Sequence, residues 1–112
     1  MAFIRLQDVP EHEPVDGYHV RFVHSDQMTL AYWTIEAGAA IPTHHHPHEQ
    51  VATVLEGTFE LTVDDETRRM EAGDVAVIPS NVPHGGRAIT ACRMIDAFQP
   101  VREDYRDADG VG

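Results

Sequence analysis

The chain has 112 residues and a formal net charge of −11, with 42% hydrophobic and 24% charged residues, which predicts a single globular domain spanning residues 1–112. The negative charge argues against nucleic-acid binding, which needs clustered positive charge, and against binding to anionic membranes. All eight basic residues are arginines, so chemistry that needs a lysine is excluded.

Nothing in the N-terminal residues indicates export. Residues 1–14 (MAFIRLQDVPEHEP) lack the basic flank and apolar stretch of a secretory leader, so we expect a cytoplasmic protein. No apolar run in the sequence is long enough to cross a bilayer. The single Cys92 cannot form an internal disulfide, and we expect it in the core.

Short strands separated by turns are predicted along most of the chain. The segments with the strongest strand character are Met28–Glu36, Gln50–Leu55, Thr58–Val63, Asp74–Ile78 and Ala91–Phe98. No convincing amphipathic helix precedes residue 100, and a surface segment follows Pro100, frayed from about residue 104. This pattern indicates an all-β sandwich or barrel, and a barrel leaves no exposed strand edges.

A run of histidines lies between the first two predicted strands. Residues 43–50 read THHHPHEQ. Neutral imidazole is the commonest metal ligand near neutral pH. Because alternate side chains of an extended chain share a face, His44 and His46 point together, His45 points away, and Gln50 has the parity of the first two. The run therefore predicts a metal site that two histidines and one amide face.

A fourth candidate histidine follows the predicted strand Asp74–Ile78. Residues 73–84 read GDVAVIPSNVPH, and the two prolines around Asn81 predict a tight corner before His84. A side chain at such a corner has a fixed direction. Taken alone, the segment is equally consistent with a metal ligand and with a surface-loop imidazole.

The two histidine segments together resemble the paired motifs of the cupin superfamily across residues 38–84. The first has Gly38, His44, His46 and Gly57, with Gln50 where glutamate is usual. The second has Gly73, Pro79 and His84, with Asn81 where glycine is usual. The resemblance implies a single all-β cupin domain, which is a jelly-roll or double-stranded β-helix barrel. It also implies a metal inside the barrel, held by His44, His46, Gln50 and His84.

Gln50 determines the chemical character of the implied site. Three imidazoles and one amide leave a divalent ion its full charge, whereas glutamate would cancel part of it. Such a site predicts a Lewis acid rather than a centre for oxidation. The ligand set suits one divalent transition metal, and zinc, nickel, iron, manganese and copper all remain candidates. His45 and His48 fall outside the set, and we expect His48 either at the rim of the site or in contact with one of the ligand residues.

The predicted strand Ala91–Phe98 adds a carboxylate to the interior. Asp96 shares a face with Cys92, Met94 and Phe98, which should point inward. A carboxylate inside a barrel must be paired or must act as an acid or base. The alternative is that Asp96 faces solvent or caps a structural arginine.

Residues 83–106 (PHGGRAITACRMIDAFQPVREDYR) resemble the end of the KdgF-type cupins of pectin and alginate breakdown. Those proteins convert 4,5-unsaturated monouronates to the linear keto sugar acid, and Gln50 is a feature of that group. The resemblance implies catalytic or substrate-contacting roles for Asp96, Phe98 and Arg102, and a small anionic sugar acid as substrate. It also implies a homodimer paired through sheet edges, with the FIRL segment at residues 3–6 contributing to the edge.

The residue types suit that reaction, which needs a proton removed from the anomeric hydroxyl and one delivered to C4. Asp96 is the candidate for moving protons, and Phe98 for an apolar wall. Arg102 has a planar fork suited to the substrate carboxylate, and Arg87 is the weaker candidate. Three alternatives stay open: a non-catalytic cupin that binds a small molecule or metal, an oxygen-using cupin dioxygenase, and a metal that only holds the barrel together.

Overall fold

The computed structural model describes residues 2–108, and strands dominate this range. The strands are β1 (His12–Val15), β2 (Tyr18–His24), β3 (Thr29–Ile35), β4 (Ala40–His44), β5 (Glu49–Glu56), β6 (Phe59–Val63), β7 (Glu66–Met70), β8 (Val75–Ile78), β9 (His84–Ala88) and β10 (Cys92–Gln99). A 3-10 turn at Leu6–Asp8 precedes them, and helix α1 (Glu103–Ala108) follows them. Across residues 2–108, no helix has the length and apolar character needed to span a membrane.

The strands form two antiparallel sheets that enclose the core. The six-stranded sheet has the order β1-β2-β3-β10-β5-β8, and the four-stranded sheet has the order β4-β9-β6-β7. Strand β10 pairs with β3 on one side and β5 on the other, so its inward side chains lie at the centre of the larger sheet. The all-β jelly-roll barrel expected from the sequence is confirmed.

Alternation along each strand divides core from surface. In β3 the buried residues are Thr29, Ala31, Trp33 and Ile35, each separated by a more exposed neighbour. The Trp33 ring packs edge-on against aromatic rings of β2. Each large apolar side chain buried in this way contributes roughly 1.5–3 kcal/mol to stability. Cys92 is buried in the same core, in agreement with the sequence prediction.

Five strands were not predicted from the sequence, namely β1, β2, β4, β7 and β9. Strand β9 shows why, because its sequence HGGRA has little strand propensity. Gly86 is nevertheless required there. A Cβ at this position would lie 2.5 Å from the Phe59 ring and 2.6 Å from the carbonyl oxygen of Glu60. Close packing against β6 therefore explains why a glycine occupies position 86, although glycine has a low strand propensity.

The segment after Pro100 is more ordered than the sequence suggested. Residues 103–108 form α1 where a frayed tail was expected from about residue 104. The helix is held because the Tyr105 ring stacks on Phe22 at 4.3 Å, and Arg106 donates a hydrogen bond to the carbonyl of Ser25 at 2.9 Å. Residues 109–112, the rest of the predicted tail, lie outside the described range. At the other end, residues 3–5 of the FIRL segment form no strand.

Candidate metal centre and its surroundings

Three histidines from neighbouring strands converge inside the barrel. His44 ends β4, His84 begins β9, and the two residues are paired across the antiparallel ladder. His46 lies two residues beyond His44 and is buried, as is His84. One ring nitrogen from each of the three lies within 4.8 Å of the other two. His45, by contrast, is exposed, as its parity predicted.

Hydrogen bonds to the backbone determine which nitrogen of each ring faces the centre. The Nδ1 atoms of His44, His46 and His84 lie 2.9, 3.0 and 2.9 Å from backbone carbonyl oxygens. These carbonyls belong to Pro42, His48 and Val82. Because a carbonyl only accepts, each Nδ1 carries the proton and each Nε2 keeps its lone pair. This is the usual arrangement around metal-binding histidines, in which the second ring nitrogen is held by an acceptor.

Burial keeps the rings of His46 and His84 uncharged. The pKa of His46 is lowered to about 4, mainly by burial, with the positive charge of Arg102 and the neighbouring His84 adding to the effect. The pKa of His84 is also lowered, again mainly by burial, and His44 and Arg102 add to that shift. Both imidazoles are therefore neutral at pH 7, which is the form that binds a metal ion.

Two unsatisfied acceptors suggest a cation at this point. The Nε2 atom of His84 is buried and has no hydrogen-bond partner in residues 2–108. The Nε2 atom of His46 lies 3.2 Å from Oε1 of the buried Gln50, so two lone pairs face each other in this tautomer. A cation bound by the Nε2 atoms of His46 and His84 and by Oε1 of Gln50 would satisfy all of these lone pairs. The three histidines and Gln50 therefore fit a divalent transition metal and could hold one.

Asp96 is buried in the same interior. It lies on β10, and its Oδ2 atom accepts a hydrogen bond of 3.0 Å from the indole nitrogen of Trp33. Its other oxygen, Oδ1, is buried and makes no hydrogen bond of normal geometry with any described residue. Burial raises the pKa of Asp96 to about 6, although Gln50, Trp33 and Arg102 each favour the charged form. The carboxyl group can therefore both accept and release a proton near neutral pH.

One cavity of about 60 Å³ connects these groups. All seven residues predicted for the site line it: His44, His46, Gln50, His84, Asp96, Phe98 and Arg102. A larger groove of about 420 Å³ runs between β7 and β8, but no histidine lines it. Arg87, the weaker carboxylate-binding candidate, is exposed and points its guanidinium toward Glu60 at 3.9 Å, so it does not belong to the cavity.

Arg102 is held rigidly at the cavity wall. Its Nε and Nη2 atoms donate hydrogen bonds of 3.0 and 2.7 Å to the carboxylate of Asp104. Its guanidinium carbon lies 4.8 Å from the centre of the Phe98 ring and 4.0 Å from that of Tyr105. The bidentate pair lowers the pKa of Asp104 despite that residue's partial burial.

Three residues that position the site were not identified from the sequence. Trp33, Asp104 and Tyr105 shape the positions of Asp96 and Arg102, yet none was singled out. Trp33 is separated from Asp96 by 63 positions, and only the register between β3 and β10 brings them together. The role of Asp104 could have been predicted, because an acidic residue two positions from a candidate arginine can form an ion pair with it.

Comparison with known proteins agrees with the observed fold. A family model described as a cupin domain matches residues 31–98. The pectin degradation protein KdgF of Dickeya dadantii (strain 3937) is 28% identical over 101 residues, which is 88% of this chain and 92% of that protein. The structure of KdgF from Halomonas sp. superposes with a TM-score of 0.87 at 27% identity, covering 94% of this chain and 98% of that one. An RmlC-like cupin from Shewanella frigidimarina NCIMB 400 gives 0.88 at 28% identity, covering 94% and 96%.

Proposed function

The chain belongs to the cupin domain family, and on that premise we propose that it is a metal-dependent enzyme that opens 4,5-unsaturated monouronates to the linear keto sugar acid. The observation that carries the proposal is that Asp96 and Arg102 line the same cavity as the three convergent histidines. Similarity to a pectin degradation protein over most of both chains supports the class of substrate.

The proposed metal ligands are the Nε2 atoms of His44, His46 and His84 and the Oε1 atom of Gln50. When bound there, a divalent ion supplies Lewis-acid stabilisation of negative charge on substrate oxygens. All four side chains are neutral donors, so none of them reduces the positive charge of the site. This donor set favours proton transfer over oxidation, which agrees with the proposed isomerisation.

Asp96 is proposed to move the proton. Ring opening removes hydrogen from the anomeric hydroxyl, forms the C1 aldehyde and breaks the bond between C1 and the ring oxygen. The electron pair released on that oxygen becomes the C5 ketone once C4 takes a proton. The product is an isomer of the substrate, so one group that accepts a proton and returns it suffices. With a pKa of about 6, Asp96 suits both steps.

Arg102 is proposed to bind the substrate carboxylate. A guanidinium offers five N–H donors, and Asp104 engages two of the nitrogens that carry them, Nε and Nη2. The remaining donors can meet a carboxylate while Asp104 keeps the fork in place. Phe98 lies beside both His46 and Arg102 and provides an apolar wall between the proposed metal and the proposed carboxylate site.

The test is a direct assay with the unsaturated monouronate. Metal-loaded protein should accelerate loss of the double-bond absorbance, and NMR should identify the linear keto acid as product. Asp96→Asn should reduce the rate by roughly 10²–10⁴-fold while the bound metal content is unchanged. Asp65→Asn, which removes the same charge from an exposed turn, should behave as wild type. Tight substrate binding without acceleration would contradict the proposal and support a binding protein.

A further inference from the structure

Arg102 lies between the last strand and the helix, so no strand ladder determines its position. Strand β10 ends at Gln99, and helix α1 begins at Glu103. The contacts of the guanidinium with Asp104 and Tyr105 come from the same short segment of chain. Such local contacts move together with Arg102, so they determine the shape of the segment but not its place in the barrel. That place must depend on contacts with the strands.

One hydrogen bond connects the backbone of Arg102 to the barrel. The amide N–H of Arg102 donates to Oγ1 of Thr29 at 2.9 Å, and this bond is buried. Thr29 begins strand β3 and exposes 0% of its surface to solvent. Among the hydrogen bonds that Arg102 makes within residues 2–108, this is the one whose partner belongs to a strand. The hydroxyl of Thr29 therefore anchors the segment that carries the guanidinium.

A second partner fixes the direction of the Thr29 hydroxyl. Its Oγ1 atom lies 2.8 Å from Nδ1 of His24, the residue opposite Thr29 on β2. A hydroxyl has one hydrogen and two lone pairs, so it can accept from Arg102 and interact with His24 at the same time. Threonine is also branched at Cβ, which restricts its χ1 angle. The barrel therefore holds the acceptor in place for the amide of Arg102.

Thr29 acts from outside the cavity. Of the described residues, those that line the cavity do not include Thr29. Thr29 pairs with Phe98 of β10, and the Phe98 ring lies 4.8 Å from the guanidinium carbon of Arg102. One residue of β3 is thus next to both the backbone of Arg102 and the strand that carries Phe98. An effect of its hydroxyl on a ligand in the cavity would pass through Arg102.

We propose that Thr29 is a positioning residue that holds the guanidinium of Arg102 at the cavity wall. This role rests on the proposed binding of the substrate carboxylate by Arg102. A guanidinium binds a carboxylate best through two parallel N–H···O bonds, which require a fixed direction. Asp104 and the rings of Phe98 and Tyr105 set that direction only while the backbone at Arg102 stays in place.

Removing the hydroxyl should release this anchor. Valine has nearly the shape of threonine but no hydroxyl, so Thr29→Val would leave the amide of Arg102 buried without an acceptor. Residues 100–102 belong to no strand or helix, so the segment can move outward until water satisfies the amide. The guanidinium would move with it and lose its alignment with a carboxylate in the cavity.

Titration calorimetry with a saturated hexuronate tests the role of Thr29 without turnover. This ligand carries the carboxylate but has no double bond, so its binding does not depend on the proposed reaction. Thr29→Val should raise its dissociation constant by roughly 5–10-fold, the loss expected for about one hydrogen bond. Thr29→Ser keeps the hydroxyl and should bind within about twofold of wild type. Thr34→Val, on the exposed face of the same strand, should match wild type.

A double-variant cycle shows whether Thr29 acts through Arg102. Arg102→Gln should weaken hexuronate binding more than Thr29→Val does, and adding Thr29→Val to it should cause little further loss. Turnover of the monouronate should show the same dependence, with KM raised by Thr29→Val and kcat nearly unchanged. Unchanged hexuronate binding in Thr29→Val would overturn the proposal, as would a serine variant as weak as the valine variant. Effects of Thr29→Val and Arg102→Gln that multiply in full would also overturn it.

The binding data separate this role from the proposed reaction. If wild type binds the hexuronate but does not open the monouronate, the proposed reaction fails, and the variants still measure the role of Thr29. If wild type binds no hexuronate, the positioning role fails. Amide hydrogen exchange adds a measurement that needs no variant, because the buried N–H of Arg102 should exchange slowly in wild type. Rapid exchange would overturn the anchor even if Thr29→Val did not fold.

Discussion

Replacing Asp96 with asparagine should stabilise the metal-free protein while it impairs the proposed reaction. Burial raises the pKa of Asp96 from 3.8 to about 6, because the loss of hydration outweighs the favourable effects of Gln50, Trp33 and Arg102. Above pH 6 the native state must therefore hold a poorly solvated charge that the unfolded chain exposes to water. Asparagine removes the charge, and its side-chain oxygen can still accept the hydrogen bond from Trp33.

The magnitude follows from the size of the pKa shift. A rise of about two units at about 1.4 kcal/mol per unit corresponds to roughly 3 kcal/mol at pH 8. Between pH ~4 and pH ~6 the native state binds more protons at this residue than the unfolded state does, so its contribution to stability falls as pH rises. About half of the full penalty is present at pH 5. The melting temperature of the variant should exceed that of wild type by roughly 10 °C at pH 8 and by about half as much at pH 5.

The assay is thermal unfolding, followed by calorimetry in the presence of a chelator, at both pH values. Asp65→Asn serves as the control for the change in net charge, because it lies on the exposed turn between β6 and β7. Adding a divalent metal should reduce the advantage of the Asp96 variant, because a cation held by the neighbouring Gln50 favours the carboxylate.

An Asp96→Asn variant destabilised by the same amount at pH 5 and pH 8 would contradict this expectation. That outcome would mean that the charged form of Asp96 is well solvated or paired in the native protein. The proposed role in proton transfer would then lose its physical basis, because the carboxyl group would not be poised near neutral pH.

Three further predictions concern the metal, the substrate and the packing of β9. His84→Ala should weaken zinc or nickel binding by at least ~100-fold in titration calorimetry, because it removes a buried donor; unchanged affinity would contradict the ligand assignment. Arg102→Gln should raise KM for the monouronate more than it lowers kcat, and an effect on kcat alone would contradict a carboxylate-binding role. Gly86→Ala should lower the free energy of unfolding, measured in urea, by roughly 1–3 kcal/mol, because the added Cβ would lie 2.5 Å from the Phe59 ring. An unchanged urea midpoint would show that β6 and β9 can move apart without loss of stability.

Much of the candidate site was accessible from the sequence because its signals are local. The parity of an extended chain distinguished His44 and His46 from His45, and the structure agrees, since His46 is buried and His45 is exposed. The same alternation predicted that Asp96 points inward, and it is buried. Resemblance to cupin motifs then related His84, which is distant in sequence, to the first two histidines.

Strand content was predicted less completely, because propensity reports only what a segment favours in isolation. Strands with good β-formers, such as β3 and β10, were found close to their observed bounds. Strand β9 (HGGRA) was not predicted, because glycine has a low strand propensity. Gly86 is needed there because any side chain would collide with the Phe59 ring of β6. Helix α1 was missed for a similar reason, because Tyr105 is ordered by stacking on Phe22 of β2.

Residue type and alternation within single strands predict the all-β class, the common direction of His44 and His46, and the uncharged side chain of Gln50 on their side. Only the folded barrel brings His84 beside His44 and sets Trp33 against Asp96. Those properties depend on the register between strands distant in sequence, and that register is set only when the whole barrel closes.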